Sequence, residues 1–167
     1  GVFLNAKGTG GLSVTSILAN TVGDVELYAE ESIQVTSITA AAGDVTIITD
    51  NSIDGATDDG VADISGTNIT LSADLGGIGV ASSTLDISAT GNFAADTSDG
   101  NGNISIDSIG TVALGLIDSG TGNVTLDSTG SITDGNAATN NVSAGRLTII
   151  GNQTVTGIET SVSILDL

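Results

Sequence analysis

Residues 43–53 read GDVTIITDNSI and residues 122–132 read GNVTLDSTGSI, so one phrase returns 79 residues later almost in register. Shorter versions recur along the chain, each with an apolar, a polar and a second apolar residue in succession. The first apolar residue of each copy, here called the anchor, is Val25, Val45, Ile69, Leu85, Ile104, Val124, Leu147 or Val162. The anchors are spaced by roughly 20 residues, which lies in the range of solenoid repeats.

Each anchor is followed two positions later by Leu or Ile, and the residue between them is always polar. This alternation is typical of a strand with one buried face. A second apolar position recurs eight residues after most anchors, for example at Ile33, Ile53 and Ile132. Glycines such as Gly43 and Gly122 precede anchors by two residues, where we expect the chain to turn a corner. Each repeat therefore predicts at least two short strands separated by turns.

A repeat of about 20 residues is too small to bury its own apolar face and becomes stable only when it stacks on its neighbours. We therefore predict an all-β fold, a parallel β-helix or solenoid of about eight coils. The whole chain, 1–167, is a single β-helix segment in this prediction, with an internal duplication into two four-coil blocks at roughly 12–88 and 91–167. Two tandem immunoglobulin-like sandwiches are the alternative, but sandwich strands are not expected to repeat one phrase.

The composition narrows the set of partners. The chain has 167 residues, with 20 acidic residues against Lys7 and Arg146, and its formal net charge is −18. This charge repels phosphate backbones, so we expect no nucleic acid partner. No apolar run approaches the ~18 residues of a membrane span, so we expect no membrane insertion. The chain contains no cysteine, which removes disulfides and thiolate metal sites.

The phrases GDVTIITDNSI, GNVTLDSTGSITD and GGIGVASSTLDISAT resemble the stalk repeats of large secreted bacterial adhesins, the filamentous haemagglutinin-like exoproteins of two-partner secretion. The resemblance covers roughly residues 12–167. It implies a right-handed β-helical shaft that carries adhesive regions away from the cell and usually has no catalytic residues. It also implies a secreted or cell-surface location, with host or matrix glycans or proteins as partners.

Two pairs of carboxylates are candidate catalytic groups. Asp107 and Asp127 lie three residues after their anchors on consecutive coils, so we expect them to stack about 5 Å apart, a separation that suits a retaining glycosidase. Asp24 and Asp44, each one residue before an anchor, form the second pair. Solvated carboxylates explain both pairs more simply, because like charges at that spacing in water repel by only about 1 kcal/mol. The chain also lacks histidine, so no imidazole can act as a general base.

The stretch DTSDGNGNISID at 96–107 is a candidate calcium loop, because it places oxygen ligands at alternate positions in a glycine-rich turn. The candidate ligands are Asp96, Asp99, Asn101, Asn103 and Asp107. Ile104 stands where a helix–loop–helix calcium site needs glycine, and no glutamate closes the loop, so the site would need another geometry. Calcium is the cofactor that this pattern suggests. The similar but weaker patterns at 57–63 and 133–141 are expected to be loops between coils.

We therefore expect a non-enzymatic shaft or fibre segment of a secreted bacterial surface protein. The alternative is a carbohydrate-active or glycan-binding β-helix that uses acidic side chains. The repeat pattern continues to Leu167 without a polar cap, which predicts an exposed strand edge. Further coils of the same protein, or copies stacked end to end, are the expected partners of that edge.

Overall fold

The computed structural model describes residues 1–80, 83–137, 139–151 and 153–167, and within those ranges the regular elements are strands. The strands are β1 (Val2–Ala6), β2 (Leu12–Val14), β3 (Ile17–Ala19), β4 (Val25–Ala29), β5 (Ile33–Val35), β6 (Ile38–Ala40), β7 (Val45–Thr49), β8 (Ile53–Gly55), β9 (Ile64–Gly66), β10 (Ile69–Ala73), β11 (Leu85–Ala89), β12 (Asn92–Asp96), β13 (Ile104–Ser108), β14 (Val112–Asp118), β15 (Asn123–Ser128), β16 (Ile132–Asp134), β17 (Val142–Ile150), β18 (Val155–Thr156) and β19 (Thr160–Asp166). Over the same ranges, no helix is long and apolar enough to cross a membrane.

The pairings between these strands are parallel. The chain winds as a β-solenoid of about eight turns with about 21 residues per turn, which confirms the predicted parallel β-helix. Val45 pairs with Ile69 in parallel register. The antiparallel sheets of an immunoglobulin-like sandwich contain no such pairing, so that alternative is wrong.

The turns stack so that their strands lie on three faces. Face 1 carries β1, β4, β7, β10, β12 and β14, in that order. Face 2 carries β2, β5 and β8, and face 3 carries β3, β6, β9, β11, β13, β15 and β17. Two isolated bridges, from Ile53 to Ile78 and from Ile78 to Ile104, continue face 2 onto the first residue of β13. Faces 2 and 3 therefore meet on β13.

Aliphatic side chains stack in columns along the solenoid axis. One column runs in unbroken register through Leu12, Ile33, Ile53, Ile78, Ile104, Val124, Leu147 and Leu165. Its six inner members are buried, with at most 1% of each residue exposed. Each such side chain stabilises the fold by roughly 1.5–3 kcal/mol on leaving water. The column therefore couples each turn to the next.

The anchors do not stack in a single column, although their alignment in the sequence suggests that they would. Val25, Val45 and Ile69 stack on face 1, and the next residue of that column is Phe93. Leu85 belongs to face 3 and pairs with Ile106, two residues beyond the anchor aligned with it. The intervals from Ile69 to Leu85 and from Leu147 to Val162 are therefore shorter than one turn of the solenoid.

The two copies of the opening phrase lie on different faces. GDVTI leads into β7 on face 1, whereas GNVTL leads into β15 on face 3. Both places need a tight corner followed by an alternating strand, so one phrase suits both. A Cβ on Gly43 would lie 2.3 Å from the Gly23 carbonyl oxygen, and a Cβ on Gly122 would lie 2.4 Å from that of Gly102. Only glycine allows the backbones of successive corners to approach so closely.

Candidate functional site

Four aspartates lie next to one another along face 3 in successive turns. Asp86 pairs with Asp107, and Asp107 pairs with Asp127, as the sequence predicted for the latter two. Asp63, just before β9, joins them because its N–H donates to the Asp86 carbonyl at 2.8 Å and its Oδ2 accepts the Asp86 N–H at 3.2 Å. We call Asp63, Asp86, Asp107 and Asp127 the aspartate row. Parallel neighbours lie about 4.8 Å apart, so the row brings carboxylates together turn after turn.

The loop at residues 56–63 covers part of this row. Asp86 alternates with the buried Leu85 and Ile87, so its side chain points away from the core, yet only 1% of Asp86 is exposed. The loop also brings in Asp58. Carboxylate oxygens of Asp58, Asp86 and Asp107 all lie within 4.8 Å of one another. We call these three side chains the carboxylate cluster.

Asp59 stabilises the covering loop through two hydrogen bonds within it. Its Oδ1 accepts the Val61 N–H at 3.0 Å, and its Oδ2 accepts the Thr57 hydroxyl at 3.2 Å. Gly60, between them, has a φ of +70°, which favours glycine. With Asp63 bonded to β11 at the loop's end, these contacts hold Asp58 over face 3.

Burial and mutual repulsion raise the pKa values of these aspartates. Burial raises the pKa of Asp107 from its ordinary value of 3.8 to about 6, and the carboxylates of Asp127, Asp86 and Asp58 add to the rise. Burial likewise raises the pKa of Asp63 to about 6, against the opposing effect of the Asp86 N–H. The pKa of Asp86 is raised first by burial and second by Asp58. Each shift reflects a carboxylate that is costly to ionise in this environment.

Neither carboxylate oxygen of Asp86 has a hydrogen-bond partner in the described part of the chain. The backbone amide of Gly60 approaches this carboxylate and partly opposes the rise in its pKa, without making a full hydrogen bond. A buried ionised group without a partner is strongly disfavoured. Asp86 is thus the least satisfied polar side chain of the row.

No cationic side chain compensates this negative charge. Lys7 and Arg146 are the only lysine and arginine of the sequence. The Lys7 Nζ lies 4.0 Å from Glu30 Oε1, and Arg146 pairs with Asp166. Both cations are therefore engaged outside the carboxylate cluster.

A groove of about 450 Å³ opens beside the carboxylate cluster. Its polar lining includes Asp58, Thr84, Asn103, Ser105 and Thr125, and no aromatic side chain is among the described residues that line it. Of the carboxylate cluster, Asp58 lines this groove, whereas Asp86 and Asp107 are not among the described residues that line it.

The residues of the predicted calcium loop lie on different parts of the solenoid. Asp96 ends β12 on face 1 and accepts the Ser98 N–H, whereas Asp107 lies on face 3. Asp99 lies in the exposed turn between these strands. The carboxylates that converge in the described residues include Asp107 but neither Asp96 nor Asp99.

The two asparagines of that predicted set serve the turns. The Asn101 Oδ1 accepts the Thr121 N–H at 2.8 Å, and the Asn103 Oδ1 accepts the Asn123 N–H at 2.8 Å. Each amide oxygen therefore bonds the next turn of the backbone. Calcium binding by the predicted set stays a prediction, but the structure does not bring its five residues together.

Asp24 and Asp44, the second predicted carboxylate pair, belong to a ladder at the corner before face 1. The Asp24 Oδ1 accepts the Asp44 N–H at 2.9 Å, and the Asp44 Oδ1 accepts both the N–H and the Nδ2 of Asn68 at 3.0 Å. The Asn68 Oδ1 accepts the Asn92 N–H at 2.9 Å. We call Asp24, Asp44, Asn68 and Asn92 the corner ladder. In the corner ladder the carboxylates of Asp24 and Asp44 therefore support the backbone of the next turn.

Sequence reasoning did not place Asp86 in a site, and it included Asp58 only in the weaker pattern at 57–63, which it expected to be a loop between coils. It aligned Leu85 with Ile104, which placed Asp86 two residues out of step with Asp107. One signal was present: the short phrases ADIS, LDIS, IDSI and LDST carry Asp63, Asp86, Asp107 and Asp127 at intervals close to one turn. Asp58 has no such signal, because it lies in a loop outside the repeat.

Comparison of the chain with protein-family models, with curated proteins and with solved structures gave no match.

Proposed function

We propose that this chain is a non-catalytic structural shaft segment of a secreted bacterial surface protein, similar to the filamentous haemagglutinin-like adhesins. The observation that carries the proposal is the column of eight aliphatic residues from Leu12 to Leu165, which runs through the turns in unbroken register. In a solenoid each turn is stabilised by its neighbours, so a continuous column suits a rod that maintains length and stiffness.

The end strands support a role within a longer fibre. Phe3 and Leu4 on β1 are 70% and 37% exposed, and Ile164 and Leu165 on β19 are 45% and 49% exposed. Among the described strands, β1 pairs with β4 alone and β19 with β17 alone. We expect these edges to pair with further parallel coils, either of the same protein or of a second copy stacked end to end.

The test measures association of the chain by sedimentation velocity and electron microscopy over a range of protein concentrations. We expect end-to-end assemblies that shorten or disappear in a Phe3→Lys, Ile164→Lys double variant, because charged edges prevent strand pairing. The matched control is Val22→Lys with Leu75→Lys, two residues that are 84% and 76% exposed outside the end strands. A chain that stays monomeric, or assembles equally well in both variants, contradicts end-to-end stacking.

The second candidate is a carbohydrate-active β-helix, favoured by the raised pKa of Asp107, whose carboxylate lies close to that of Asp58 in the lining of the groove. A carboxyl group with a raised pKa suits a general acid. The assay is release of reducing ends from a panel of polysaccharides. Turnover that is lost in Asp107→Asn and kept in Asp99→Asn would establish this function and refute a purely structural role.

A further inference from the structure

We propose that the carboxylate cluster of Asp58, Asp86 and Asp107 binds one hard divalent cation, with calcium preferred, and that the cation joins the loop at 56–63 to face 3. The inference is independent of the shaft function, since a solenoid can serve as a rod with or without a bound ion.

The spacing of the three side chains fits one ion. Their carboxylate oxygens lie within 4.8 Å of one another. Two ligands on opposite sides of Ca²⁺ lie roughly 4.6–5.2 Å apart, since each Ca–O distance is about 2.3–2.6 Å. Three oxygens spaced in this way lie no more than about 2.8 Å from a common point, so one calcium ion can contact all three carboxylates after a small adjustment of the side chains.

Asp86 supplies an independent reason for a ligand. Only 1% of it is exposed, and both of its carboxylate oxygens lack hydrogen-bond partners in the described residues. Its side chain lies against Asp58 and Asp107, so its unpartnered oxygens belong to the cluster itself. A cation placed there would satisfy these oxygens, whereas water from the groove would leave the three charges uncompensated.

The surroundings favour calcium over other cations. The set offers only oxygen ligands, which hard cations prefer, and the sequence contains no histidine or cysteine for a transition metal. Asp58 lies on an exposed loop, and calcium accepts such variable geometry more readily than Mg²⁺, which demands a near-ideal octahedron. Water from the adjoining groove can complete the coordination shell. This site shares only Asp107 with the calcium loop predicted from the sequence.

The experiment titrates the full chain, stripped with EDTA and dialysed at pH 7.5, with CaCl₂ in an isothermal calorimeter. We expect one Ca²⁺ per chain with Kd at or below about 1 mM, in the range of extracellular calcium modules. Asp86→Asn and Asp58→Asn should each weaken binding at least about tenfold, since each removes an anionic ligand. Asp99→Asn, in the exposed turn of the sequence-predicted loop, is the matched control and should bind as the wild type does. MgCl₂ should bind more weakly than CaCl₂.

Thermal unfolding gives a second readout. At free calcium about a hundredfold above Kd, the wild-type Tm should rise by roughly 5–10 °C, and the rise should disappear in Asp58→Asn. Asp58 is exposed, so its variant tests the proposal even where Asp86→Asn fails to fold. The proposal is overturned if the wild type takes up no calcium at about 10 mM free ion. It is overturned equally if the variants of the carboxylate cluster bind as well as the wild type, or if only Asp99→Asn loses binding.

Discussion

The corner ladder and the aspartate row both stack acidic or amide side chains in register along one rod, yet the carboxylate of Asp86 in the row lacks the backbone donors that the ladder's oxygens find. In the corner ladder each successive backbone N–H finds a side-chain oxygen of the preceding turn, as Asp44 finds Asp24. In the aspartate row Asp86 is buried and neither of its oxygens has a partner in the described residues. The same residue type is thus a backbone support in one place and an unsatisfied anion in the other.

The difference follows from where the backbone donors are. At a corner the chain leaves the ladder of strand hydrogen bonds, so its N–H groups are available to side-chain acceptors. Within a parallel strand most N–H groups already bond the neighbouring turn. Asp127 still finds one donor, because its Oδ1 accepts the Ser128 N–H at 2.7 Å, whereas neither oxygen of the buried Asp86 finds one in the described residues. Stacked acidic side chains therefore cost little folding free energy at a corner and more on a covered strand.

We expect the largest loss of stability when a side chain is added at a corner where the backbones of successive turns approach closely. Gly43→Ala places a Cβ 2.3 Å from the Gly23 carbonyl oxygen, and this backbone atom cannot move aside without opening the corner. We expect a loss of about 3 kcal/mol in the free energy of unfolding, measured by urea denaturation. The control is Gly10→Ala, which has no atom within 4 Å of the added Cβ. Equal stability of the two variants would contradict the role of close corner packing.

The second largest effect is a gain in stability, expected when the buried carboxylate of Asp86 in the aspartate row is replaced by a neutral amide. In EDTA, Asp86→Asn should raise the free energy of unfolding by about 2 kcal/mol, because it removes a buried charge from beside two carboxylates. Asp44→Asn is the matched change in the corner ladder and should be nearly neutral, because an amide oxygen still accepts the Asn68 N–H. If Asp86→Asn were as neutral as Asp44→Asn, the contrast between the two regions would fail.

The pH dependence of the free energy of unfolding, measured on the metal-free chain, tests the same difference between the two regions. The folded pKa values of Asp63 and Asp107 are raised to about 6 from 3.8, so the folded state binds more protons than the unfolded state between those values. The penalty is therefore present in full above pH 6 and is relieved as pH falls toward 4. In EDTA, the free energy of unfolding should be about 1–2 kcal/mol higher at pH 5 than at pH 7.5. This range allows for the screening of the partly exposed carboxylates by solvent.

The charged groups around Asp107 are Asp58, Asp86 and Asp127, and those around Asp63 are Asp58, Asp59 and Asp86. Asp107→Asn should flatten the dependence, whereas the exposed Asp99→Asn should preserve it. A dependence that is identical in the two variants would assign the effect to net charge rather than to the aspartate row.

The smallest effect is expected at one rung of the corner ladder. Asp44→Ala removes the acceptor for the N–H and the Nδ2 of Asn68, but both donors can turn to water. We expect a loss of about 1 kcal/mol by urea denaturation, with Asp44→Asn retaining wild-type stability. A loss in the Asn variant as large as in the Ala variant would show that the charge, rather than the acceptor, stabilises this corner.

Local neighbours were predictable from the sequence where they follow an uninterrupted repeat. The pairings of Asp107 with Asp127 and of Val45 with Ile69 were both predicted, since each pair lies in adjacent phrases with the same spacing to a corner. The pairing of Asp86 with Asp107 was not predicted. A shift of two residues keeps every inward residue inward, so the alternating pattern fits Leu85 against Ile104 as well as against Ile106.

The sequence by itself predicted that this chain stacks short turns into a parallel solenoid, because a repeat of about 20 residues with period-two alternation is too small to bury its apolar face without stacking on its neighbours. The tertiary structure alone decided that Asp58 and Asp86 meet Asp107. The contact of Asp86 with Asp107 depends on the register of β11 against β13, and the cover over Asp86 depends on a loop outside the repeat. Both are set by contacts between distant segments, which local alternation does not encode.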